Sequence, residues 1–253
     1  MCLVAFAWKV HPEYPLVISA NRDEFFERPS EKLHLWPSGF YGGKDLRSGG
    51  TWMGIHPNGR WALLTNYRDF KNPRTAQISR GLLVQAFLES KIGPKSYLEG
   101  LTPSLDAYDG FNLVVSDGEK IFYLSNYGKG VEEVKPGIHG LSNGLINDPW
   151  PKVELAKKQL SEVLEESFDE NRLLNTLKSR ERYPIEKLPD TGVPPQMEIG
   201  LSSQLIRIGN NYGTVSSMVV IQEASGLTRL KQRVFERDYH RFADTKEQFI
   251  KAD

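Results

Sequence analysis

Apolar positions recur at short intervals through the first third of the chain, a spacing that predicts strands. Residues 3–10 and 15–21 read as two strands joined by His11-Pro12-Glu13-Tyr14. Residues 52–55 and 61–65 flank Pro57-Asn58-Gly59-Arg60, and residues 111–115 and 121–125 flank Asp117-Gly118. Asn-Gly and Asp-Gly between such runs are strong hairpin signals, because both residues tolerate the positive φ that tight turns require. The period changes to helical in two places. Ser79 is placed to cap a stretch through Leu82, Leu83, Ala86 and Phe87, and Pro151 opens a longer one through Val153, Ala156, Leu160, Val163 and Leu164. Residues 171–178 continue the helical pattern, residues 180–200 read as a long loop, and residues 205–208, 215–222 and 229–235 return as strands. Strands open and close the chain while helices cluster in its middle. That order predicts an α+β fold rather than alternating βαβ units. With no break in composition, one domain spanning residues 1–253 is expected.

Charge removes some functions. The chain carries 32 basic and 32 acidic side chains, with no basic stripe interleaved with aromatics, so a nucleic-acid partner has no electrostatic footing. A single cysteine makes no intrachain disulfide and suits a reducing compartment. No basic segment leads into an apolar one at the start, and no apolar run approaches the ~20 residues needed to span a bilayer. The expectation is a cytoplasmic protein with no membrane span, acting on a small-molecule substrate or ligand.

That single cysteine, Cys2, follows the initiator methionine. If Met1 is trimmed, one residue holds both a thiol and an α-amine that titrates at about 7.7–8.0, a nucleophile with its own base. The plain alternative is a small buried hydrophobe in the run Cys2-Leu3-Val4-Ala5-Phe6. The first hairpin bears on the choice. If its loop is residues 11–14, Val10 pairs with Pro15, Phe6 faces Ser19, Val4 faces Asn21 and Cys2 faces Asp23. A one-residue slip puts Arg22 there instead. Either way the polar run Asn21-Arg22-Asp23-Glu24 is delivered beside the thiol. A free thiol is only about 3% thiolate at pH 7, and one close guanidinium can lower its pKa by about 1–3 units.

Other candidates are more ambiguous. Gly42 through Gly50 lacks the ending of a phosphate loop and leads into a strand, so it reads as a tight loop whose glycines let backbone approach a pocket. Asn66 at a strand end and Asn143 in Gly140-Leu141-Ser142-Asn143-Gly144 are each an oxyanion donor or a turn former. The histidines, His11, His34, His56, His139 and His240, show no metal spacing, so no metal site is expected, although a lone histidine can ligate haem iron.

Several segments, in order, carry a family resemblance: Met1-Cys2, Ser19 through Phe25, Gly42-Gly43-Lys44-Asp45, Gly49-Gly50-Thr51-Trp52 and Leu64-Thr65-Asn66-Tyr67-Arg68. They continue with His139 through Asn143, Pro149-Trp150-Pro151-Lys152, Leu201-Ser202-Ser203 and Tyr212-Gly213-Thr214. Together they are similar to the NRDE (transport and Golgi organisation 2) family. The resemblance implies an N-terminal-nucleophile hydrolase fold, an αββα four-layer sandwich of two antiparallel sheets between helical layers. It implies kinship with cysteine amidases that act on penicillin V or conjugated bile acids. By that kinship Cys2 attacks, Arg22 and Asp23 support it, and Asn66 and Asn143 serve the oxyanion and substrate. Asn21, Glu24, Trp52, Tyr67, Arg68 and His139 in the matched segments are the expected binding residues. The pattern breaks at Val215, where an arginine is expected; Arg207 is the candidate substitute. The expected function is hydrolysis or acyl transfer at a non-peptide amide through Cys2 after Met1 removal, with no cofactor. The alternative implied by the resemblance is a non-catalytic haem- or lipid/acyl-CoA-binding and trafficking protein using the same pocket.

Overall fold

The computed structural model describes residues 2–74 and 76–251. The chain opens with β1 (Cys2–Trp8) and β2 (Leu16–Phe25), then runs through β3 (Ser30–Leu35), β4 (Tyr41–Asp45), β5 (Met53–Ile55) and β6 (Trp61–Asn66). Helices α1 (Gly81–Glu89) and α2 (Pro94–Leu101) precede β7 (Phe111–Ser116), β8 (Ile121–Ser125), β9 (Glu132–Val134) and β10 (Gly137–Leu141). Then come α3 (Pro151–Leu164), α4 (Glu170–Leu174), α5 (Pro195–Gly200), β11 (Arg207–Ile208), β12 (Tyr212–Gln222), β13 (Leu227–Phe235) and β14 (Phe242–Ile250). The strands form two seven-stranded antiparallel sheets, so the α+β class holds.

The chain divides into two compact units. The first joins residues up to Glu27 with Pro136–Gln248, and its sheet runs β10-β1-β2-β12-β13-β14, with β11 on β12. One face of this sheet is covered by helices. Leu3, Ala5, Ala7, Val17, Val219 and Ile221 pack against Val153, Ala156, Leu160 and Val163 of α3 and Leu173 and Leu174 of α4. Each valine, leucine or isoleucine among them contributes about 1.5–3 kcal/mol on burial. Strand alternation puts Cys2, Val4, Phe6 and Trp8 on the opposite face.

The second unit, Arg28–Lys135 with the residues from Phe249 onward, holds a sheet whose strands β3 to β9 neighbour one another in chain order. Its core sets Leu83, Val84, Phe87 and Leu88 of α1 and Leu98 of α2 on Ala62, Leu64, Leu113, Val115 and Leu124. The expected turns are present, with Gly59 at φ 91° and Gly118 at φ 89°. The glycine-rich segment, expected as a loop throughout, is strand β4 as far as Asp45, and only the remainder is a loop. Its glycines let neighbouring backbone pair closely: a Cβ on Gly42 would stand 2.8 Å from Met53 O. A Cβ on Gly50 would stand 2.5 Å from the Gly81 carbonyl carbon, so the bare backbone lets the start of α1 pack directly on the loop before β5. Asp45 gathers that loop, accepting from the Arg47 and Ser48 N–H groups and from Arg28 Nε at 2.7 Å.

Several expectations need correction. The first hairpin adopts the slipped register, with Cys2 paired to Arg22, Val4 to Ala20 and Phe6 to Ile18. Pairing stops at Trp8–Leu16, and Lys9 turns into the left-handed region at φ 51° while its N–H bonds Pro15 O. Pro15 has no N–H to return the bond, so the ladder cannot extend to Val10. Ser79 does not cap α1 through its side chain; its carbonyl accepts from Leu82 N–H. The helix expected over residues 171–178 is the shorter α4, capped by Asp169, whose carboxylate accepts from Arg172 N–H. The long loop carries α5.

β13 and β14 are tied by charge. Arg233 donates from Nε and a terminal nitrogen to the two Asp244 oxygens at 2.8 Å each, and Lys231 Nζ lies 2.8 Å away. The Arg233 guanidinium holds Asp244 down at about 2. A carboxyl depressed on folding adds stability above its unfolded pKa and loses it as pH falls through the folded value. Asp244→Asn is therefore expected to cost about 1 kcal/mol at pH 7 after allowing for solvent screening. In urea titrations the gap between variant and parent should close between about pH 4 and pH 2. An equal gap at both ends would show that the ion pair carries none of it.

Candidate active site

β1 lies between β10 and β2, which puts Cys2 at the head of a strand with neighbours on both sides. On one side its Cα partner is Arg22 of β2. On the other, β1 pairs with β10 through Phe6–His139 and Val4–Leu141. The same register carried on brings Asn143 opposite Cys2, and Ser142 Oγ donates to Cys2 O at 2.9 Å. Cys2 is 6% exposed and Asn143 fully buried, its Oδ1 accepting from Ser142 Oγ at 3.3 Å.

Burial decides the state of the thiol. Desolvation pushes Cys2 up, and the Asp23 carboxylate pushes the same way, against Arg22 and a hydrogen bond from the Asp23 N–H. Arg22 pulls the thiol down, as a guanidinium beside Cys2 was expected to, but desolvation outweighs it. Attack by this sulfur requires a base to take its proton.

Asp23 is 1% exposed. Its Oδ1 accepts from Thr214 Oγ1 at 2.7 Å, and Thr214 is in turn tied to Ile206 through Ile206 N–H to Oγ1 and Thr214 N–H to Ile206 O. Burial pushes the carboxyl up, while Lys152, Thr214 and Arg22 pull it down. β12 makes room for both supports with a bulge. Thr214 pairs with Asp23 and Ser216 with Arg22, leaving Val215 as the extra residue. Val215, where an arginine was expected, thus occupies the irregular position of the strand. Arg207, the candidate substitute, is exposed, its guanidinium over the Phe26 and Tyr239 rings at 5.9 Å each.

The other expected residues divide by place. Glu24 Oε2 lies 3.7 Å from an Arg22 terminal nitrogen. Asn21 stands on the helix-covered face of β2, away from Cys2. Its amide donates to Leu177 O at 2.8 Å and Gln204 O at 3.0 Å, and its Oδ1 accepts from Ser217 Oγ. That side chain holds the loops around the helices on the sheet. His139 stacks on Phe6 at 5.1 Å between centroids, and its Nδ1 is 3.0 Å from Asn147 Nδ2, contacts that hold the ring to the sheet. No group of three or more His, Cys, Asp or Glu among the described residues is placed to hold a metal ion. Trp52, Asn66, Tyr67 and Arg68 belong to the second unit. There Trp52 O accepts from Leu64 N–H, Asn66 ends β6, Tyr67 stacks on Tyr127 at 4.3 Å and Arg68 is buried.

Sequence reasoning missed Lys152. It is 2% exposed in the first turn of α3 and donates from Nζ to Leu201 O at 2.9 Å. Its place in Pro149-Trp150-Pro151-Lys152 was visible, but nothing in that tetrapeptide marks a lysine for burial.

The transport and Golgi organization protein 2 homolog of Bos taurus is 33% identical over 260 residues, covering 92% of each chain. The Mus musculus homolog is 30% identical over 270 residues, covering 96% of each. Among solved structures, a variant of conjugated bile acid hydrolase from Clostridium perfringens aligns with a TM-score of 0.49 at 9% identity, over 99% of this chain and 97% of that one. No helix among the described residues is long and apolar enough to cross a membrane. Residues 1–241 match the Transport and Golgi organisation 2 family, and the chain belongs to it.

Proposed function

We propose that this protein is a cysteine-nucleophile amidase or acyltransferase acting on a non-peptide amide. The observation that carries the reading is the convergence on Cys2 of Arg22 across one strand pair and Asn143 beyond the other. With Met1 removed, the free α-amine of Cys2 takes the thiol proton as sulfur attacks the amide carbonyl, and Asp23 orients that amine. The Asn143 side-chain amide donates to the oxyanion. Collapse breaks the C–N bond, the ammonium returns its proton to the leaving amine, and an acyl thioester remains on Cys2. Water, or an amine in acyl transfer, then releases the acyl group, with the α-amine again the base. No step uses haem or another cofactor.

The intact mass of the purified protein is the first test: it should be short of one methionine. A retained Met1 would leave the amine acylated and sink the mechanism. Incubation with a panel of N-acyl amides of varied chain length should then give a transient mass increase equal to the acyl group, on the N-terminal peptide. The haem-binding alternative predicts a saturable Soret shift at micromolar haem instead, and a flat titration is the expected result.

A further inference from the structure

We propose that Arg207, seconded by Arg180, forms a carboxylate-binding subsite over the Phe26 and Tyr239 rings, one that takes the far end of an acyl ligand. Both arginines are exposed, and among the described residues neither guanidinium makes an ion pair or donates a hydrogen bond. Their contacts are with rings. The Arg207 guanidinium lies 5.9 Å from the centroids of both Phe26 and Tyr239, and that of Arg180 lies 5.4 Å from Tyr239. A guanidinium over a ring keeps its in-plane N–H donors for an acceptor, and their fork matches the two oxygens of a carboxylate. The second cation at the same ring adds to the positive potential there.

Strand register places Arg207 on the face that carries Cys2. Opposed residues share a face of a sheet, as do residues two apart along one strand. Cys2 is opposite Arg22, Glu24 follows Arg22 by two, Glu24 is opposite Gly213, and Gly213 is opposite Arg207. Three strand spacings across and two residues along separate the Cys2 and Arg207 backbones by about 16 Å. That separation suits an anion at the far end of an acyl chain rather than one beside the scissile bond. The acid on the path, Glu24, is held by Arg22 at 3.7 Å. Two backbone features set the rings. A Cβ on Gly213 would clash with Tyr239 Oη and stand 2.9 Å from Phe26 Cζ, so only glycine lets both rings approach β12. Tyr239 itself takes φ 61°, a conformation that bulky side chains rarely adopt and that concentrates where a site needs it. Its N–H donates to Glu236 O at 2.9 Å and its hydroxyl to Ile206 O at 2.7 Å. Burial, helped by the Asp23 carboxylate, holds that hydroxyl up at about 12, so the ring stays neutral beside a bound anion.

Which end of the ligand the subsite reads rests on the amidase reading; that it holds a carboxylate does not. The test uses full-length Cys2→Ala, which forms no acyl intermediate, and calorimetric titration with the mono-N-butylamide of dodecanedioic acid and with its methyl ester. The acid should bind about tenfold or more tightly than the ester. Adding Arg207→Gln should erase most of that advantage, and adding Arg180→Gln should weaken the acid by about threefold, with ester affinity unchanged in both. Equal affinity for acid and ester, a substitution that weakens both alike, or no binding of either overturns the proposal and leaves the arginines as cover for the rings. N-dodecanoylglycine carries its carboxylate beside the amide. If it, and not the diacid monoamide, loses affinity on Arg207→Gln, the far-end assignment falls. Binding is read without turnover. A silent acyl-amide panel beside a preserved acid–ester difference would end the amidase reading and leave the subsite standing.

Discussion

Cys2→Ala should abolish acyl-amide turnover while the protein stays folded. Loss of a nucleophile commonly costs about 10⁴-fold or more, because the remaining groups can polarise the carbonyl but cannot form the covalent intermediate. The fold should tolerate the change. Cys2 is the first residue of its strand, and alanine removes only the sulfur, at about 1 kcal/mol for a small cavity. Circular dichroism and thermal melting should therefore match the parent closely. Cys2→Ser separates two ideas. It keeps a hydroxyl beside the amine, but a hydroxyl holds its proton far more tightly than a thiol, so activity should fall by orders of magnitude without vanishing. The buried thiol adds a pH signature. Since burial holds Cys2 above the usual thiol range, alkylation by iodoacetamide should stay slow at pH 7 and rise only on the alkaline side. Undiminished hydrolysis by Cys2→Ala would end the enzyme reading.

The parts of the fold that were legible in sequence are those written by local rules. Asn58-Gly59 and Asp117-Gly118 announced their hairpins because positive φ is a residue property. Pro151 announced α3 because a helix start is where proline fits. The first hairpin was legible only to within one residue. Its register depends on Lys9 entering the left-handed region, which no residue preference at that position signals. β3, β10 and β14 went unseen because their buried residues are few or interrupted: β3 buries only Leu33, and β10 reads Gly-Ile-His-Gly-Leu. The site divides along the same line. The sequence order placed Arg22 and Asp23 near Cys2, but the bulge at Val215 and the buried Lys152 are tertiary facts. A bulge is set by pairing on both sides of a strand, and a buried lysine by a partner far along the chain, here the Leu201 carbonyl. Neither leaves a periodic trace.

Asp23→Asn should remove activity without weakening the protein, and the two effects come from one cause. The amide keeps the shape and can still accept from Thr214 Oγ1, so the hydrogen bond now at 2.7 Å survives. What disappears is the negative charge that orients the Cys2 ammonium, and a loss of about 10²–10⁴-fold in turnover is expected. Stability moves the other way. Burial raises the Asp23 carboxyl above its ordinary value, so the folded state disfavours the ionised form relative to the unfolded chain. A carboxyl raised on folding is neutral in both states below its unfolded pKa of about 3.9 and weighs against folding as pH climbs above it. Asn carries no such charge. At pH 7 the variant should be at least as stable as the parent in urea, and below about pH 4 the two should converge. A variant less stable than the parent by more than about 2 kcal/mol at pH 7 would mean that ionised Asp23 is a net stabiliser, its cations outweighing its burial. In that case the carboxylate would be part of the fold's cohesion. On the expected outcome the protein holds this charge against its own stability, as residues kept for chemistry commonly are.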